Sequence, residues 1–546
     1  MPTFYPKYCY LSSHNCASIS ASPPPFLPAL DLAPKANEYV RLTRLSTLRK
    51  LLMTRTNATY QRLEQHFTSL SHFEHVNALA EWDLAAMMPN GGSQARHEAL
   101  ATLSGHIHDL RSASWLSDAI LEAKQGPLTL EQRANLNEMQ RQHQQASLVP
   151  TALVQAKTRA GLQCEQAWRQ QRKNNDWLGF KPNLSEVIYL TQQEATIRSE
   201  ALGISLYDSL LDKFEPGISA LQIEQWFAPL RQQLPELIQL VLAKQAGEPQ
   251  HVPQGHYPIA AQEQLSHTVM QTIGFDFNHG RLDVSSHPFT GGVPTDVRLT
   301  TRFDEQDFTS ALMGTVHETG HALYEMGLPA AWAGQPAGQP RSMAVHESQS
   351  LFCEMQLGRG QGFLNLILAD INQHLGGQFD LASLTNMYTR VRAGKIRVDA
   401  DEVTYPCHIL LRFDAEKALI DGRLAVADLP DFWSSNMQSL LAINTDGDYR
   451  NGCMQDIHWT LGELGYFPSY SLGAMLAAQL RYAMEQHLGT LDNVIANQGL
   501  APIFSWLAQH VWQQGSLRST TELIQHACGD TLSAQYLLKH LRQRYL

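Results

Sequence analysis

A helical period that runs from residue 53 to the C-terminus constrains this chain more than any other feature. Asn57 to Ala80, Leu130 to Leu148 and Leu153 to Arg172 are long, rich in Ala, Leu, Gln and Glu, and free of internal proline. Apolar residues three and four apart in such segments share a helix face that must be buried against a neighbour. Glu236 to Ala246, just after Pro235, and Leu472 to Leu488 continue the pattern. Strand-like alternation is rare, and its best example is Asp296 to Phe303. No internal repeat or linker divides the chain after residue 53. The expected fold is mainly α: one large helical unit with a small β element near its middle.

Residues 1 to 52 read differently. A Ser/Pro-rich stretch from Ser18 to Pro28 precedes a basic one with Arg41, Arg44, Arg49 and Lys50. No uninterrupted apolar segment follows the early charge, so a secretory signal does not fit. A transit peptide is one reading; a disordered extension ahead of a catalytic domain at 53–546 is preferred.

The chain has 52 acidic and 41 basic side chains, a formal charge of −11. That balance argues against nucleic acid or anionic membrane as a general partner. A site for an anionic group must gather its arginines locally. Seven cysteines are scattered without a C-x-x-C pair. No apolar run approaches the roughly 20 residues that span a bilayer. A soluble protein of a reducing compartment, the cytoplasm, is expected.

The chemistry is concentrated in His317-Glu318-Thr319-Gly320-His321, inside a helical pattern from Phe308 to Met326. Asp304, Glu305 and Asp307 suit a helix start, and Gly327 and Pro329 stop it. His317 and His321 are four apart, so both imidazoles leave one face and can grip one metal ion. Glu318 is offset from them, which suits a general base acting on the attacking water better than a third ligand. A zinc site of this kind needs a third protein ligand and an open position. Position 327 is glycine, so the third histidine of a metzincin pattern is missing. Helical pattern resumes at Ser342 to Leu357 and contains His346 and Glu347. Glu347 is the preferred third ligand, because two histidines and a glutamate are a common hydrolytic set, with His346 as its competitor.

Other polar residues cluster in pattern. In Asp296 to Thr300 a strand would place Asp296, Arg298 and Thr300 on one face. Arg397, Asp401, Tyr405 and His408 recur at helical spacing as one polar stripe, in a helix that Pro406 is expected to kink. Asn451 to Trp459 adds Gln455, Asp456 and His458.

Taken in order, these pieces resemble the thermostable carboxypeptidase Taq family of metallocarboxypeptidases. Its marks stand here as HPF (His287 to Phe289), DVRLT (Asp296 to Thr300), HETGH (His317 to His321) and HESQS (His346 to Ser350). They continue as IRVDADEVTY (Ile396 to Tyr405), GCMQDIHW (Gly452 to Trp459) and GYFPSYSLG (Gly465 to Gly473), with WDLAAMMP (Trp82 to Pro89) upstream. The resemblance covers residue 53 to the C-terminus.

It implies a nearly all-α fold with a deep groove, a small sheet beside the metal, and a homodimer. It implies zinc held by His317, His321 and Glu347, cobalt as an occasional substitute, and Glu318 as catalytic base. The implied activity is release of single amino acids from peptides with a free C-terminus. Arg397 and Arg298 are the cationic candidates for the terminal carboxylate, with His287, Tyr405 and His458 nearby. His458 or Tyr405 would donate a hydrogen bond to the developing oxyanion. One alternative is a zinc endo-oligopeptidase or dipeptidase, which needs no arginine clamp. Another is a non-catalytic peptide-binding scaffold.

Overall fold

The computed structural model describes the backbone of residues 36–546 and, apart from residue 90, the side chains from residue 58. Most of the described chain is helical, with one three-stranded sheet. The first helix, Ala36–Ala86, runs through position 53 without a break. The expectation for residues 1–35 lies outside the described residues. Among the described residues no helix is long and apolar enough to cross a membrane.

The periodic segments fold as their spacing requires. Tyr60, Leu63, Phe67 and Leu70, three and four apart, are buried against Ile107, Leu116, Ile120, Leu136 and Met139 as a small separate core. Leu130–Ser147 and Thr151–Lys173 are single helices. The helix expected to begin after Pro235 instead spans Ala220–Gln245, with Pro229 and Pro235 inside it. Its buried stripe of Ile223, Phe227, Leu230, Leu234, Leu237, Ile238 and Val241 explains this. Burying each such side chain contributes about 1.5–3 kcal/mol, and the stripe taken together outweighs the cost of roughly 3 kcal/mol for each of the two interior prolines. The preceding Ser219–Gln222 capping box fixes the start.

Strands β1 (Gly280–Val284), β2 (Phe289–Val293) and β3 (Asp296–Thr301) form a sheet in the order β1-β3-β2. β3 pairs parallel with β1 and antiparallel with β2. Alternation along β3 sends Val297 and Leu299 into a cluster with Met270, Phe275 and Ala322, the last from the HETGH helix. The sheet thereby seats itself on the helix Phe308–Met326.

That helix starts where Asp307 accepts from the Thr309 N–H and ends at Gly327. The HESQS helix, Met343–Leu351, runs antiparallel to it and passes directly into a π-helical segment, Phe352–Gly358. Contacts follow a steady register: Tyr324 with Arg341, Glu325 with His346, and His317 with Glu354. Gly320 makes this approach possible. A Cβ there would lie 2.5 Å from the Gln349 carbonyl oxygen and 2.8 Å from Ser350 Cα.

The proposed polar stripe is not a helix face. Arg397–Asp399 is a 3₁₀ turn, and a separate helix begins at Tyr405 and runs to Ile420. Pro406 occupies its first turn, where a missing N–H is harmless, so it starts the helix instead of kinking it. Asp401 holds the intervening turn by accepting from the N–H groups of Arg392, Val403 and Thr404.

Candidate metal centre

His317 and His321 project from one face of their helix with ring centroids 5.0 Å apart. Glu347 reaches in from the antiparallel HESQS helix, and one nitrogen or oxygen from each of the three lies within 4.8 Å of the others. His321 Nε2 and Glu347 Oε2 are 3.4 Å apart. Tetrahedral bonds of about 2.1 Å separate ligand atoms by about 3.4 Å, so His321 and Glu347 stand at a spacing that suits a shared divalent ion. The site can take Glu347 because the helix Pro468–Leu488 presents Gly473 to it: a Cβ there would sit 2.9 Å from Glu347 Cβ and Cγ.

The far side of each imidazole is also held. His317 Nδ1 lies 2.9 Å from Glu354 Oε2, and Glu354 in turn accepts from Arg359 Nη2 at 2.5 Å. His321 Nδ1 lies 2.6 Å from His346 Nδ1, while His346 Nε2 lies 2.9 Å from Glu325 Oε1. His346 therefore stands behind His321, on the side away from Glu347. Glu318 is buried on the sheet side, where Thr290 of β2 donates to Oε2 at 2.6 Å and to the Glu318 carbonyl at 3.1 Å.

A second buried group adjoins this one. Arg397, 6% exposed, donates from Nε to Asp456 Oδ1 at 3.0 Å and from Nη1 to the Tyr405 hydroxyl at 2.8 Å. Gln455 fixes its backbone by accepting from the Arg397 N–H. Fully buried Arg412 donates from Nε to the other Asp456 oxygen at 2.7 Å. Burial alone would raise the Asp456 pKa, but Arg412 and Arg397 hold it far below the usual carboxylate range. Two guanidinium groups thus share the Asp456 carboxylate, and buried Glu416 is a further acid close enough to interact with Arg412. Tyr470 and Phe467 flank Arg397, each ring centroid 5.2 Å from its Cζ. Tyr470 is three residues before Gly473, which places the arginine's aromatic wall on the helix face that meets Glu347.

His458 lies against the same wall, 4.7 Å from the Phe467 centroid and stacked on Tyr466 at 5.5 Å. Burial, reinforced by Arg397, pushes its pKa down to about 3, so it is neutral at physiological pH. Burial raises the Tyr405 pKa, although Arg397 opposes the shift. Its hydroxyl keeps its proton.

Arg298 and Arg397 are held by different partners. Arg298 lies on the face of β3 turned away from the HETGH helix, paired through two nitrogens with Asp296 and stacked on Trp82 at 4.5 Å. Thr300, on that same face, is buried and hydrogen-bonded to Ser285. His287 is exposed, and its carbonyl accepts from Ser285 Oγ at 2.5 Å. His408 is buried in the helix that follows Arg397, and its carbonyl accepts from Arg412.

The sequence reading did not single out Glu354, Glu325, Arg412, Tyr470 or Thr290. Glu354 follows Glu347 by seven residues and Glu325 follows His321 by four, both spacings that return to one helix face. Arg412 follows His408 by four. Thr290 carried no local signal, because its role depends on where the sheet lands.

The sequence pattern of a family described as Carboxypeptidase Taq (M32) metallopeptidase matches residues 62–545. The chain is 34% identical to thermostable carboxypeptidase 1 of Thermus thermophilus over 506 residues, 89% of this chain and 98% of that protein. It is 33% identical to carboxypeptidase 1 of Bacillus subtilis over 482 residues, 87% of this chain and 96% of that one. Among solved structures it is similar to Trypanosoma cruzi metallocarboxypeptidase 1, with a TM-score of 0.88 and 40% identity. That alignment covers 89% of this chain and 99% of the other. With a His-His-Glu group at the centre of the matched region, the chain belongs to the carboxypeptidase Taq (M32) family of metallopeptidases, hydrolases that cut peptide bonds.

Proposed function

We propose that the protein removes single amino acids from peptide C-termini with broad side-chain tolerance, using zinc held by His317, His321 and Glu347. A divalent ion bound there supplies Lewis acidity to the attacking water and the scissile carbonyl, and cobalt can substitute for zinc. Glu318 takes the proton of the attacking water and delivers it to the departing amine. Thr290 orients that carboxylate by donating to Oε2. Tyr405 and neutral His458 are the candidate donors to the developing oxyanion.

The observation that carries the exopeptidase reading is that buried Arg397 shares Asp456 with Arg412 and lies against Tyr405 and Tyr470, two rings that both interact with Glu347. A buried arginine that shares its carboxylate with another favours a further anionic partner, and a planar guanidinium matches a carboxylate. Asp456 and Tyr405 use Nε and part of Nη1, leaving the remaining N–H groups for the peptide terminus. Arg298, already committed to Asp296, and His287 are candidate contacts to the rest of the peptide. The family resemblance supports a homodimer working in the cytoplasm on peptides, independent of nucleic acid and membranes.

Kinetics on a blocked dipeptide with a free C-terminus test the clamp. Arg397→Met should lower kcat/KM by about a hundredfold, about 3 kcal/mol for a lost buried charge pair. Arg298→Met should change it less than tenfold. Equal losses in both variants would place the carboxylate elsewhere.

A further inference from the structure

The two histidines of the candidate centre are held through their second ring nitrogen by different devices. His317 Nδ1 meets a carboxylate directly, at Glu354. His321 Nδ1 meets another imidazole nitrogen, His346 Nδ1, at 2.6 Å. Two imidazole nitrogens at that distance need one N–H between them; two lone pairs or two N–H groups would repel. The other nitrogen of His346 decides which ring supplies it. His346 Nε2 lies 2.9 Å from Glu325 Oε1, and an ionised carboxylate only accepts. The proton of a neutral His346 therefore sits on Nε2, and Nδ1 presents a lone pair. That lone pair must accept from His321 Nδ1–H. His321 Nε2, the nitrogen facing Glu347, is left unprotonated.

We propose that His346 is a positioning residue that relays the proton preference of Glu325 to His321, locking His321 in the tautomer that offers Nε2 to a divalent metal ion. The inference rests on the metal-centre reading above. It also gives His346 a role other than the third-ligand alternative weighed from sequence. The relay is built into the fold. His317, His321 and Glu325 follow one another at four-residue intervals along one helix face, and His346 bridges the last two from the antiparallel helix. His346 is 7% exposed, and the Tyr324 ring lies against it at 5.4 Å, which restrains its rotation.

Zinc affinity, measured in the full-length protein by competition with a chromophoric chelator, tests the relay without reference to peptide cleavage. The visible spectrum of the cobalt-loaded protein reports the ligand geometry in parallel. His346→Phe removes the acceptor for His321 Nδ1–H and should weaken zinc binding about 10–100-fold, with an altered cobalt spectrum. Glu325→Leu removes the carboxylate acceptor that faces His346 Nε2 and should give a loss of the same order. His346→Gln, whose carbonyl can still accept from His321, should recover part of the affinity. If one variant fails to fold, the other two carry the test. Wild-type affinity and an unchanged cobalt spectrum in the folded Phe and Leu variants would overturn the relay while leaving the metal centre intact. A wild-type chain that takes up neither zinc nor cobalt would overturn both.

Discussion

Glu318 and Arg397 are buried polar groups whose partners leave part of their hydrogen-bonding capacity free, which is what a reacting base and a substrate anchor need. Thr290 satisfies one oxygen of Glu318 and leaves the other to act. Glu318→Gln keeps the shape and the threonine contact but removes the base. It should lower kcat about 10²–10⁴-fold while zinc content, measured by elemental analysis, stays at the wild-type level. A variant that loses metal as well would mean that Glu318 is part of the ligand set. Arg397 differs from Arg298 in sharing its carboxylate with a second buried arginine, and that difference underlies the unequal kinetic losses predicted for their replacement. The sequence placed both arginines in matching motifs and had no means of ranking them. The ranking comes from Asp456, 59 positions beyond Arg397 and shared between Arg397 and Arg412. It also comes from Asp296, which occupies Arg298 from two residues away.

At the scale of elements, the centre depends on three helices brought close by two glycines, Gly320 and Gly473. Gly320→Ala would force its Cβ against the backbone of the HESQS helix, where no flexible side-chain end can give way. We expect a loss of about 1–3 kcal/mol in urea unfolding together with weaker zinc binding. Unchanged stability would show that the two helices can separate freely. What could be read from sequence follows from local geometry. His317 and His321 are four apart in one helix, so their shared face needs no knowledge of the fold. Asp307 and Gly327 bound that helix by capping chemistry that is equally local. The stripe from Arg397 to His408 failed for a local reason too, because Pro406 suits a first turn better than an interior. Glu354 and Glu325 were hidden because their function appears only when two antiparallel helices fix a register. The π-helical segment that carries Glu354 has no spacing signature in the chain.

The whole molecule has a further dependence on pH. Glu215 is fully buried, accepts from the Ala344 N–H at 2.6 Å and from Ser469 Oγ at 2.7 Å, and so ties the HESQS helix to the helix that carries Tyr470. Burial pushes its carboxyl up to about 7 from an ordinary value of 4.5. Between those values the folded state keeps a proton that the unfolded state releases. The stability it provides is therefore complete below pH 4.5 and lost as pH rises through 7. Glu215→Gln should match wild type near pH 5 and exceed it near pH 8, by on the order of 2–3 kcal/mol in urea unfolding. Parallel curves for the two proteins would contradict the assignment. If Arg397 reads the peptide terminus, metal-dependent cleavage is confined to peptides whose C-terminal carboxylate is free. Mass spectrometry of one peptide in free-acid and amidated forms tests it most directly. The free acid should give a ladder of residues lost one at a time, abolished by chelator, restored by zinc or cobalt, and nearly absent from the amide. Internal cleavage, or equal digestion of acid and amide, would contradict it.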